Sequence, residues 1–170
     1  MRIKKGEMNI MNRADNVRSR SATPLVDRVS RIIVWLESVS YDTLIATPAR
    51  LFIATTFFLS GRTKVDGLLT VNQSAYFLFE HEYKVPLIPP ELAAHLVTYS
   101  EHLFSVLLIL GLASRVSAAA FLFMTLVIQI FVYPGAWATH LLWASALVFI
   151  IFRGPGALSI DHYIRKRYMA

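Results

Sequence analysis

The chain has 170 residues, of which 55% are hydrophobic and 16% charged, with a formal net charge of +6. Soluble domains carry roughly a quarter charged residues, whereas here no Asp, Glu, Lys or Arg occurs in the 37 residues from Val116 to Phe152, a run that excludes an ordinary water-soluble domain. The absence of cysteine excludes disulfide exchange, thiolate catalysis and Cys-ligated metal clusters, and no interleaving of basic and aromatic residues supports a nucleic-acid partner.

Residues 1–23 are polar, basic and aperiodic, and read as a disordered tail. No apolar core followed by a small-residue cleavage site makes this tail a signal peptide. Over residues 24–46, Leu25, Val29, Ile32, Leu36 and Val39 recur at three- and four-residue spacing opposite Asp27, Arg28, Arg31 and Glu37. That stripe predicts an amphipathic helix lying on the membrane surface. Residues 47–165 then read as a four-helix transmembrane domain, so the fold class expected is all-α.

The first span is expected over about 43–63, with Pro48 and Arg50 near its start. A polar stretch from Lys64 to Glu91 follows, and the three prolines of "EHEYKVPLIPPE" (80–91) forbid a long helix there. The second span is expected over 92–113, the third over 116–133 and the fourth over 138–152. "GLASR" (111–115) and "YPGAW" (133–137) supply the turns between them, and "RGPGALSIDHYIRKR" closes the chain as a turn and basic tail. Eight Lys or Arg among the first 31 residues, Arg115, and Arg153, Arg165, Lys166 and Arg167 all fall on one side. The other side has Arg62, Lys64 and Lys84, so the positive-inside rule puts both termini in the cytoplasm.

Within this apolar frame a few polar side chains demand partners, because a carboxylate at mid-bilayer costs roughly 2.5–3.5 kcal/mol on insertion scales. Glu101 has two readings. In the first it forms a structural ion pair with Arg50, tying the first two spans together. In the second it belongs to a polar pocket in the outer half of the bundle with Lys64, His102, Gln129, His140 and Trp143, and carries a proton. Such a pocket in an apolar wall suits a quinone or another small solute, although polar groups also bind helices to one another without any ligand.

His95, Tyr99 and His102 fall on one helical face. Their imidazoles lie about 10 Å apart along the axis, too far to share one metal. His102 and His140 stand at unmatched depths, which argues against a bis-histidine haem. Glu80, His81 and Glu82 read as solvated surface, and no metal site is expected. No phosphate loop, nucleophile elbow or HExxH signature is present, and no catalytic residue can be assigned.

The stretches "RLFIATTFFLSGRTKVDG" (50–67), "SEHLFSVLLILGLASR" (100–115), "FVYPGAWATHLLWA" (131–144) and "RGPGALSID" (153–161) resemble the DoxX family of small bacterial inner-membrane proteins over roughly residues 49–165. The resemblance implies a four-helix membrane bundle. It also implies association with redox chemistry, since the family takes its name from a subunit of a thiosulfate:quinone oxidoreductase and other members accompany oxidative-stress complexes. The form of the 131–144 stretch resembles members encoded beside proteins of metal stress and peptide-metallophore maturation. The expectation is an inner-membrane accessory subunit of a redox or stress system, with a quinone as candidate ligand and soluble or membrane proteins as partners. A noncatalytic membrane anchor and a small-solute or metal-ion permease are the alternatives; a permease of this size would have to oligomerise, and the helices show no repeat.

Overall fold

A computed structural model of the protein describes residues 28–31, 34 and 41–168. The chain divides into two units, Met1–Ser40 and Tyr41–Ala170. In the first, residues 28–31 and 34 are helical and exposed. The rest of the amphipathic segment before Tyr41, and the whole tail 1–23, lie outside the described residues.

The second unit begins with α1 (Tyr41–Arg62), which takes in the last residues assigned above to the surface helix. A short hairpin of β1 (Val65–Asp66) and β2 (Thr70–Val71) pairs Val65 with Val71 and Asp66 with Thr70. Then come α2 (Gln73–Phe77), a π-helical turn (Leu78–Tyr83), α3 (Pro90–Leu110), and α4 (Ser114–Val127) running into a second π-helical turn (Ile128–Val132). The chain ends in α5 (Trp137–Arg153) and α6 (Ile160–Tyr168). The four long helices close a ring in which α1 and α4 each pack against both α3 and α5.

Three helices, Thr43–Arg62, Pro90–Leu110 and Ser114–Val132, are long and apolar enough to cross a membrane. The fourth, α5, has 17 residues, about 25 Å of rise against a hydrocarbon core of about 30 Å. The outward faces carry exposed Leu59, Leu103, Phe123, Leu126 and Leu142, as lipid contact requires. Inside, Phe57 stacks on Phe121 with ring centroids 4.1 Å apart, among Ile53, Leu108, Leu147 and Ile150. Buried Thr98, Ser105, Ser117 and Thr125 keep the helices close, as small residues do where no hydrophobic drive joins helices in lipid.

Two sequence expectations need correction. The third span does not stay α-helical to residue 133, because after Val127 it widens into the π turn that carries Gln129. The closing segment is not only a turn and tail. It folds back as a clasp, because the helix ends at 110–114 leave backbone N–H groups that need acceptors. The Asp161 carboxylate accepts from the N–H of Ala113 and of Ser114, each at 2.8 Å, and the Asp161 N–H donates to the Gly111 carbonyl at 2.9 Å. Arg50 belongs to the same clasp: its guanidinium donates to the carbonyls of Leu158 at 2.7 Å and Pro155 at 3.3 Å. Gly111, at φ +68°, lies so close to Arg50 and Ser159 that no side chain fits there.

Asp161→Ala should therefore cost about 1–2 kcal/mol, the usual scale for losing a capping carboxylate, and Asp161→Asn less. Thermal unfolding in detergent checks this; an unchanged midpoint in Asp161→Ala would mean that the clasp adds nothing to the fold.

Candidate functional site

At the opposite end of the ring, the last turn of α1 and the hairpin place Lys64 inside rather than out. Ser60 and Lys64 are four residues apart and so share a face. The Asn72 N–H holds the Lys64 carbonyl at 3.0 Å, which fixes the backbone where the helix ends. The Lys64 ammonium then meets both carboxylate oxygens of Glu101, at 2.9 and 3.1 Å, and also reaches the Ser60 hydroxyl at 2.8 Å and carbonyl at 3.0 Å. Ser60 in turn donates to Glu101 at 2.9 Å. Lys64 is 4% and Glu101 3% exposed. An ammonium has three hydrogens, so this network commits them all.

The ion pair expected between Arg50 and Glu101 is not formed. Antiparallel packing sets Glu101 level with Ser60 and Arg50 level with Gly111. Ten residues of α1 separate the two levels, roughly 15 Å, beyond the reach of the side chains. Gly61 explains why Lys64 can serve instead: a Cβ there would stand 3.1 Å from that of Glu101 and 2.9 Å from the His102 ring. Only glycine lets α3 approach so closely.

His102 does not join Glu101. Neighbouring residues on a helix point about 100° apart, and the His102 Nδ1–H donates to the Thr98 carbonyl at 2.8 Å while the ring packs edge-on against Phe58. His95 bonds the Tyr76 hydroxyl through Nε2 at 2.9 Å and packs beside Tyr99, likewise apart from the pair.

A cavity of about 150 Å³ opens beside the ion pair. Lys64, Glu101, His140 and Trp143 line it, together with Ser60, Phe57 and Tyr83. Of the sequence candidates, Gln129 stands one layer back: it accepts from His140 Nδ1 at 2.6 Å and donates to the Pro134 carbonyl at 2.7 Å. The π turn sets this up, since a wider helix brings Gln129, 7% exposed, to the inside. Among the described residues no cluster of His, Asp or Glu could hold a metal ion.

Several cavity residues escaped the sequence reading. Ser60 carried a usable signal in its four-residue spacing from Lys64. Tyr83 and Tyr133 had none beyond being aromatic near expected interfaces. They meet edge-on at 5.9 Å in the cavity wall, and the Tyr133 hydroxyl donates to Glu82 at 2.5 Å. The two π turns are thereby joined. Glu82 holds the Tyr133 phenol well above the usual tyrosine range, because ionising it would place two negative oxygens side by side. Burial pushes Tyr83 up as well.

Fold and site together define a small membrane-type helical protein built around a buried ion pair and an adjoining cavity. The chain belongs to the DoxX family, whose profile matches residues 45–134. It is 30% identical over 132 residues to an uncharacterized protein of Haemophilus influenzae, a match covering 70% of this chain and 82% of that relative. No solved structure matches the chain. The family match includes Lys64, Glu101, Gln129 and Tyr133, while His140, Trp143 and the closing segment of the clasp, with Asp161, lie beyond it.

Removing one partner of a buried pair leaves an uncompensated charge and costs about 3–5 kcal/mol, whereas replacing both by apolar groups is often neutral. Lys64→Met should be strongly destabilised, and Lys64→Met with Glu101→Leu should recover most of the loss. Equal instability of the single and double variants in a thermal scan would contradict the pairing. A second expectation concerns Tyr133. Its folded pKa exceeds its unfolded one, so its contribution is complete below pH about 10 and declines as pH rises beyond that. In the tyrosinate absorbance difference between wild type and Tyr133→Phe, Tyr133 should stay protonated past the ordinary tyrosine range. Glu82→Gln should bring it down toward that range.

Proposed function

We propose that the protein is an integral inner-membrane accessory subunit of a redox or stress-response system, with both termini cytoplasmic, which takes the ring of a quinone or similar small molecule into the cavity at Glu101. The observation that carries this reading is the convergence of a neutralised ion pair and a buried imidazole on a cavity otherwise walled by aromatic and aliphatic side chains. Ligand sites take this form: apolar walls with a few placed polar groups.

Volume narrows the ligand. Sites for whole drug-sized molecules measure roughly 300–1,000 Å³, and a cavity of about 150 Å³ accommodates something nearer a single ring. The ring of a quinone fits that scale, with its tail left to the lipid. Phe57, Trp143 and Tyr83 provide the aromatic faces for stacking. Membership of the DoxX family, whose resemblance implies an association with redox chemistry, and the asymmetry of basic residues between the two loop sets support the setting. In that orientation the hairpin and both π turns lie on the outer side.

Absorbance spectra and lipid-extract mass spectrometry of the detergent-purified protein test the reading, with Glu101→Gln and His140→Ala beside the wild type. A stoichiometric quinone in wild type, depleted at least about tenfold in the variants, is the expected result. A wild type as empty and colourless as the two variants would instead favour a noncatalytic membrane anchor.

A further inference from the structure

Which ligand state the cavity takes is decided by the polarity of its hydrogen-bonding groups, and a fixed chain of three groups sets that polarity. The chain starts at Pro134, whose carbonyl can only accept. It receives the Gln129 amide N–H at 2.7 Å, so the amide nitrogen of Gln129 must face Pro134 and its oxygen must face the other way. That oxygen lies 2.6 Å from His140 Nδ1. Since an amide oxygen also only accepts, Nδ1 must carry the proton. In a neutral imidazole one nitrogen donates and the other accepts, which leaves His140 Nε2 as a bare acceptor. His140 is 5% exposed and lines the cavity, and among the described residues no protein group meets Nε2. The neutral form is the one that fits, because the cavity's carboxylate, Glu101, is already balanced by Lys64.

The ion pair carries the same polarity. Lys64 spends its hydrogens on Ser60 and Glu101, and the Ser60 hydroxyl spends its own on Glu101. What remains for a ligand at this end is two acceptors, Nε2 of His140 and the uncommitted lone pairs of the Glu101 carboxylate, facing two donors in the wall, the Tyr83 hydroxyl and the Trp143 indole N–H, which serve a carbonyl or a hydroxyl oxygen alike. A benzoquinone offers only carbonyl acceptors and would leave those two acceptors unpaired. The corresponding quinol offers two hydroxyl donors.

Building on the quinone-type reading above, we infer that the cavity selects a hydroxyl-bearing ring, the reduced quinol or a related phenol, over the oxidised quinone. His140 Nε2 receives the hydroxyl, and Gln129 acts as the positioning residue that fixes the histidine tautomer. A site built to receive a hydroxyl discriminates strongly against an analogue lacking it, since its own polar groups are then stranded.

The test compares three probes on the full-length protein in nanodiscs under anaerobic conditions: a short-tail benzoquinol, the matching quinone and the dimethyl ether of the quinol. Binding is read by quenching of tryptophan fluorescence. The quinol is expected to bind at least about tenfold more tightly than the other two, equivalent to about 1.4 kcal/mol, and Gln129→Leu should erase most of that preference. Equal binding of all three probes, or tighter binding of the quinone or ether, overturns this inference and leaves the pocket reading standing. Binding of none overturns both. Because Gln129→Leu could unfold the π turn, nitrogen NMR of isotope-labelled histidine in the wild type gives a second readout, with the His140 signal assigned by its loss in His140→Gln. Protonated Nδ1 with bare Nε2 is the expected state; the opposite tautomer overturns the inference.

Discussion

A buried ammonium and carboxylate govern how this end of the bundle is built. Taking both charges out of water costs several kcal/mol per ion, and only close geometry with every remaining hydrogen bond filled offsets it. The requirement reaches into the local structure. Gly61 has to lack a side chain so that α3 can come near, Ser60 has to stand one turn before Lys64, and the hairpin has to hold Lys64 by its backbone carbonyl. The Gly-x-x-Lys spacing is thus a packing device that delivers a cation into an apolar interior, and the cavity beside the pair follows from that placement.

The far end of the ring solves the reverse problem, supplying backbone groups with polar partners where helices stop. Asp161 accepts from the first N–H groups around α4, and Arg50 donates to carbonyls of the segment between α5 and α6. Two charged side chains of opposite sign, set close together, bind backbone rather than each other. The closing Gly-Pro-Gly-x-Leu-Ser-x-Asp stretch therefore belongs to the architecture of the second unit, with Ser159 accepting from the His162 N–H at the start of α6. Each charged residue has a local electrostatic reason for its position, and the apolar middle of the bundle is left to the stacked rings of Phe57 and Phe121.

Much of the fold was legible because lipid imposes a long-range compositional signal: the charge-free run 116–152 and the turn residues around it located the helices to within a few residues. The site was legible only in part. Lys64, Glu101, His140 and Trp143 do line one cavity, because residues costly to bury tend to be buried together. The choice of partner for Glu101 was not legible. Arg50 and Lys64 are both cations on α1, and only the antiparallel register distinguishes them. An error of a few residues in helix ends moves the expected contact by several ångströms, enough to select the wrong cation. His102 failed for a different reason. Adjacent positions on a helix diverge in direction, so proximity in sequence to Glu101 counted against a shared site. Tyr83 and Tyr133 were invisible because they meet through two π turns, and hydrophobic periodicity has no separate signature for that geometry.

The π turns connect the fold with the chemistry. An α-helix continued regularly through residue 132 would aim residue 129 elsewhere, and the imidazole of His140 would lose the acceptor that holds its Nδ1 proton. The widened turn places an amide between a backbone carbonyl and a histidine, and both of those bonds are short. Direction is thereby passed from an acceptor that cannot change, the carbonyl of Pro134, to a ring nitrogen that otherwise could. In an apolar wall such fixed polarity has large consequences, because an ill-matched ligand strands the nitrogen. On the inference drawn above, a protein without cysteine or metal-ligand clusters among its described residues would distinguish two oxidation states of one ring through a single fixed acceptor, because only the hydroxyl-bearing form pairs with His140 Nε2.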